Sequence, residues 1–212
     1  MDPFIRSDQF NFIKRQTDIL INGHSTVNEI NVLNALKLLA KEKVFNLFGE
    51  MSEEQQQIIE PIIGVEDRDG AEKYLFQLRS YVIPFKEVTE QTLKKLFPKV
   101  KKLKVPKLDK LDLKEISYIS WIDEGSSKKY LVAWLNNKLV GLSGTFTKIN
   151  KKGICALCHR HEEVGMFLSE KKGAIKDTFT KKGNYICYDS YKCNLNLVEV
   201  DKLYDFIERL KK

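Results

Sequence analysis

Between Ser7 and Phe97 apolar residues recur every three or four positions, the spacing that lines one face of an α-helix. Phe12, Ile13, Gln16, Ile19 and Leu20 outline a first helix, for which Ser7 or Asp8 offers an N-cap oxygen. A second run carries Val32, Leu33, Leu36, Leu39, Ala40, Val44, Leu47 and Phe48 and stops at Gly49, as an amphipathic helix with a glycine terminus does. Ser52-Glu53-Glu54-Gln55 has the form of a capping box and predicts a third helix, which Pro61 should end or kink. Leu75, Leu78, Tyr81 and Val82 mark a fourth that ends before Pro84, and Thr89 to Phe97 makes a short fifth.

Beyond Pro98 the period changes. Ile116 to Trp121 alternates with period two, and so does Tyr130 to Leu135, which meets Lys138-Leu139-Val140-Gly141-Leu142 across Asn136-Asn137, a two-residue hairpin turn. Three antiparallel strands are thus predicted, and helical spacing returns in Val200, Leu203, Phe206, Ile207 and Leu210 within a closing helix over 198–210. The fold class is α+β: an N-terminal helical bundle over 1–95, then a small β-rich domain with a C-terminal helix over 96–212.

The strongest chemical signal lies in the cysteines. The chain has four, as Cys155-Ala-Leu-Cys158 and, about thirty residues on, Cys187 and Cys193. Two short hooks separated by a loop can bring four thiolates to the corners of one tetrahedron, and zinc is the expected occupant. Four protein ligands close that tetrahedron and leave no position for an activated water, so the ion reads as structural. His159 and His161 stand beside the second ligand as possible substitutes. Disulfides would need an oxidising compartment, whereas Met1 to Arg6 shows no secretory signal; a cytoplasmic protein with reduced thiols is expected. A redox-active Cys155-x-x-Cys158 would need a helix opening at the first cysteine, and the surroundings read as hairpin.

No apolar stretch is long enough to span a membrane. The net charge is +7, and the window from Lys94 to Lys114 holds nine lysines against Asp109 and Asp112, a surplus as large as that of the whole chain. Such a block suits an acidic partner or RNA, or forms a solvated linker. Tyr118, Trp121, Tyr130 and Trp134 on the strands could stack bases or fill the core. A catalytic reading finds only His24, His159 and His161, scattered carboxylates such as Glu115, Asp123 and Glu124, and no nucleophile or phosphate-binding signature, so the protein is not expected to be an enzyme.

Phe97-Pro98-Lys99-Val100-Lys101-Lys102-Leu103-Lys104-Val105-Pro106, Ile116 to Trp121, Cys155-x-x-Cys158, and Lys181-Lys182-Gly183-Asn184-Tyr185-Ile186-Cys187-Tyr188-Asp189-Ser190 with Cys193-Asn194 resemble the FusB-type fusidic acid resistance proteins. Met1 to Phe4 differs from that family's start. The resemblance implies a helical N-terminal domain and a C-terminal four-cysteine zinc domain that binds translation elongation factor G. Family members leave the drug unmodified and promote release of the factor from the ribosome. Carried over by position, partner contacts fall on Ile154, Lys182, Tyr185 and Phe206, with Ile154 replacing an aromatic residue. The expected protein is a monomer that meets the ribosome through the factor. The alternatives are a zinc-ribbon-like RNA- or ribosome-binding protein and a chromosomal factor-binding relative without a resistance role.

Overall fold

A computed structural model describes residues 1–172 and 178–211. The chain divides into two compact units, Met1–Ile83 and Pro84–Lys212. Apolar periodicity drew the division later, at 95/96, because the short helix after Thr89 continues the helical pattern. Its Leu93 and the following Phe97 nevertheless pack with Tyr130 and Val132 of the second unit's sheet.

The first unit holds α1 (Ser7–Thr26), α2 (Ile30–Phe45), α3 (Glu53–Ile59) and α4 (Arg68–Arg79). Ile13 and Leu20 of α1, Ala40 and Val44 of α2, Ile59 and Leu78 close one apolar core. Helix α1 begins without a Ser7 or Asp8 cap. The Arg6 N–H instead donates to the Gln9 side chain at 2.9 Å, and Asp8 pairs with the Arg6 guanidinium. The box at Ser52 forms as expected, Gln55 N donating to its hydroxyl at 3.3 Å. Pro61 converts the end of α3 into a 3₁₀ turn over Glu60–Gly64. Helix α4 stops at Arg79, before Tyr81 and Val82; Val82 runs beside Ile5 in a parallel bridge.

In the second unit α5 (Glu90–Leu96) precedes one antiparallel sheet in sequential order: β1 (Ile119–Asp123), β2 (Lys128–Leu135), β3 (Lys138–Ile154), β4 (His161–Lys172) and β5 (Phe179–Cys187). Helices α6 (Ser190–Asn196) and α7 (Val200–Lys211) follow. Asn136 and Asn137 take φ of 49° and 61° and join β2 to β3, as a two-residue hairpin with both central residues left-handed requires. Strand β2 is buried on both faces. Leu131 and Ala133 face a core shared with the four cysteines and α7, while Tyr130 and Val132 face a second core built with Phe97, Leu103 and Ile116. Tyr118 and Tyr130 are therefore core. Trp121 stacks on Tyr130 at a centroid distance of 5.0 Å, and Lys86 lies over the half-buried Trp134. These aromatics form no open stacking platform.

Strand β1 starts three residues later than the alternation from Ile116 predicts. The N–H groups of Ser117 and Tyr118 donate to the side-chain oxygen of buried Asn194 (2.8 and 3.2 Å), and the Asn194 amide donates to the carbonyls of Tyr118 and Ser190, both at 3.0 Å. One amide thus substitutes for a ladder partner and ties the sheet's first strand to α6. Asn194→Leu fills the same space and orphans these buried backbone groups. It is expected to lower stability of the zinc-loaded protein by about 3 kcal/mol in denaturant titration.

Candidate metal centre and its surface

Each cysteine is delivered by a different local device. Cys155 leaves the end of β3, and the chain turns back at once: Cys155 N donates to Arg160 O (3.0 Å) and His159 N to Cys155 O (2.9 Å), with His159 left-handed at φ 54°. That tight knuckle brings Cys158 beside Cys155. Cys187 closes β5. Cys193 sits in the first turns of α6, whose N-terminal amides at Tyr191 and Lys192 are capped by the Asp189 carboxylate at 2.9 and 3.0 Å.

The four thiols are buried, and their sulfurs lie within 4.8 Å of one another. Cys155 to Cys193 and Cys158 to Cys187 measure 3.7 and 3.6 Å. A zinc tetrahedron with bonds of about 2.3 Å has edges of about 3.8 Å, so the spacing fits. Among the described residues no histidine joins this set; His159 and His161 are exposed. Backbone amides already point at the first sulfur, Leu157 N at 3.4 Å and Cys187 N at 3.3 Å. Hydrogen bonds from the other three thiols pull Cys155 far below its ordinary value, and, against the upward pull of Cys155, those from Cys187 and Cys193 lower Cys158, while hydrogen bonds with Cys155 and Cys158, together with burial, push Cys187 and Cys193 far up. Cys187 and Cys193 are thus held against ionisation beside the other two sulfurs, and a divalent cation removes that opposition.

Pattern reading missed Lys129. It lies in β2, 1% exposed, on the pleat face shared with Leu131 and Ala133. Its ammonium donates to the carbonyls of Cys187 and Tyr188, both at 2.9 Å, and stands 4.8 Å above the Phe146 ring. Burial pulls Lys129 down to about 8, against the upward pull of the Cys193, Cys187 and Cys155 thiolates and of Asp189. A buried cation bonded to the peptides around one cysteine opposes the negative charge of the cluster and fixes the second hook. The only sequence hint was a lysine in an otherwise apolar strand, which reads equally well as an edge residue.

The exposed apolar side chains of this region cluster along the hooks. Ile154, immediately before Cys155, is 61% exposed; Tyr185, two residues before Cys187, is 40% exposed; Tyr191, two residues before Cys193, is 53% exposed. Ala156 N donates to Tyr185 O at 2.8 Å, which holds the knuckle and β5 side by side. The remaining residues inferred from family resemblance lie elsewhere. Lys182 is exposed, but β5 pairs with β4 in unbroken register, so residues 182 and 185 point to opposite faces of the sheet. Phe206 is 3% exposed and packs on Phe167 at a centroid distance of 5.8 Å, inside the core. Tyr191 was not foreseen, because α6 is too short to show a period.

Residues 4–86 match the family described as "Elongation factor G-binding protein, N-terminal", and residues 97–207 match "FBP C-terminal treble-clef zinc-finger". The treble-clef match and the four gathered cysteines support one structural zinc. Among solved structures, that of the fusidic acid resistance protein FusC matches with a TM-score of 0.85 at 35% identity over 96% of each chain. No curated protein matches. The chain belongs to the FusB-type family of fusidic acid resistance and elongation factor G-binding proteins.

Proposed function

We propose that this protein binds translation elongation factor G through the surface built on the zinc hooks, and that binding promotes release of the factor from the ribosome and so protects translation from fusidic acid. The observation that carries this reading is the pair Ile154 and Tyr185, exposed apolar side chains just before Cys155 and Cys187 on two segments that the Ala156 N to Tyr185 O bond holds side by side. Large side chains on a rigid base lose little freedom on binding and serve as interface anchors. Tyr191 extends the same surface. Lys182, on the other face of β5, adds long-range attraction that acts on encounter rate more than on the closed complex. Phe206 supports the surface from below.

In this reading Cys155, Cys158, Cys187 and Cys193 are the zinc ligands, the ion holds the hooks and does no chemistry, and the drug is untouched. The protein acts as a cytoplasmic monomer that meets the ribosome through the factor. Release requires that it bind a factor conformation other than the ribosome-locked one more tightly, since only differential affinity shifts an equilibrium. Gel filtration of the purified pair tests binding without RNA. Sedimentation of drug-stalled ribosomes tests release, and a factor that binds but stays on the ribosome assigns the chain to binding alone.

Two variants separate the surface from its support. Tyr185→Ala is expected to weaken factor binding by about 1 to 3 kcal/mol, measured calorimetrically, with melting unchanged. Phe206→Ala is expected to cost about 3 to 5 kcal/mol of stability, read by denaturant titration. Lys129→Met, which keeps the stem and removes the charge, is expected to lower zinc affinity about 10- to 100-fold in competition with a chromogenic chelator.

A further inference from the structure

The lysine-rich segment between α5 and β1 is not a free linker. Leu103 is buried, and Val100, Val105, Leu108, Leu111 and Leu113 pack against the sheet core that contains Tyr130 and Val132. Its backbone is pinned by Val100 N to Phe97 O (3.0 Å), Leu111 N to Leu108 O (3.2 Å) and Phe85 N to Leu113 O (2.7 Å). With every large apolar residue turned inward, Lys95, Lys99, Lys101, Lys102, Lys104, Lys107 and Lys110 are all exposed. The segment is a strap nailed to the sheet by its leucines and valines, with its ammonium groups outward.

Three features decide what such a strap fits. First, its cations are all lysine, with no arginine between Pro84 and Glu115; lysine meets phosphate as a point charge and lacks the planar fork that reads base edges and carboxylates bidentately, so the contact is with charge and not with sequence. Second, none of the strongly exposed large apolar side chains of the described residues falls between Pro84 and Gly153, so the surface lacks the apolar anchor that a protein interface needs at its centre. Third, the charge is distributed over the whole segment from Lys94 to Lys110, through turns and the 3₁₀ turn at Leu108–Lys110, and is not gathered into one pocket, as contact with a repeating polyanion requires. Where the strap begins, a cleft of about 380 Å³ is lined by Lys99, Lys171, Lys211, Ser143, Ser169 and Glu170 among others.

We infer that the strap is an RNA-backbone contact, binding phosphates without reading sequence and distinct from the surface at the zinc hooks. The inference does not depend on the elongation factor reading. Phosphate contacts without base contacts give affinity that falls with salt and tolerates any sequence. The natural position for such a contact is next to a ribonucleoprotein, where a weak polyanion contact raises the local concentration of the surface that does the recognising.

The test compares the zinc-loaded full-length protein with a variant carrying Lys99→Ser, Lys101→Ser, Lys102→Ser and Lys104→Ser, four exposed positions outside the zinc centre and both apolar cores. Labelled oligouridylate and a labelled hairpin RNA are titrated by fluorescence anisotropy across a potassium chloride series. Wild type is expected to bind both, with affinity falling steeply with salt. The variant is expected to lose at least about tenfold in affinity at low salt and to flatten the log-log slope by roughly 3, at about 0.7 per lost phosphate contact. Melting temperature, zinc content and elongation factor binding stay at wild-type values. Equal RNA affinity and slope for the two proteins overturns the inference. So does absence of RNA binding at low salt, and if factor binding falls in the variant instead, the strap meets an acidic protein face.

Discussion

Four buried sulfurs within 4.8 Å of one another cannot all ionise unless something positive sits among them, and most of the second unit is arranged around that requirement. The ligands come from the end of β3, the knuckle behind it, the end of β5 and the first turns of α6, segments that no single hydrogen-bond ladder joins. A zinc ion supplies the positive centre and closes these segments together. Lys129 answers the excess negative charge from below, and Asn194, next in sequence to Cys193, carries the constraint on to β1. Residues Val200, Leu203, Phe206, Ile207 and Leu210 of α7 cover the same core. In a unit of modest size, where apolar burial leaves little surplus stability, such a closure has a large effect.

The rigidity of the hooks explains how a small surface can act as a recognition site. Ile154 and Tyr185 stand on backbone that is fixed by the knuckle, by the β4 to β5 register and by the Ala156 N to Tyr185 O bond, so their exposure is maintained by the fold rather than by chance. The strap between α5 and β1 is built on the opposite principle. Its apolar residues are spent on the core and only charge is left outside. Two surfaces of different chemistry thus occur in one unit, one with anchors and one without.

Much of this was legible in the chain. Helical periodicity found all five helices before Pro98, and the Asn136-Asn137 turn and the cysteine spacing marked the hairpin and the metal. What was missed has physical causes. Strands β4 and β5 carry exposed charged residues such as Glu163, Lys171, Lys181 and Lys182 and glycines at 165 and 183, which blur a period of two. Whether the aromatics of β2 stack bases or fill the core was open in the sequence, because period two alone does not say which faces are covered; both are. The first cap was misplaced because Gln9, not a hydroxyl or carboxylate at the helix start, closes the Arg6 amide. Lys129 and Tyr191 owe their roles to tertiary placement, which local pattern does not encode. Phe206 was assigned to a surface by position in a family, and its helical spacing with Leu203, Ile207 and Leu210 already pointed inward.

The central claim is that the zinc ion organises the surface that binds elongation factor G. Its most direct test is to remove the metal with a chelator, restore it stepwise, and follow factor binding and the circular dichroism of the first unit's helices together. The account predicts that binding vanishes without zinc, returns in proportion to occupancy and saturates at one ion per chain, while the helical signal of Met1–Ile83 changes little. Metal-free protein that binds the factor as tightly as the loaded form would contradict it.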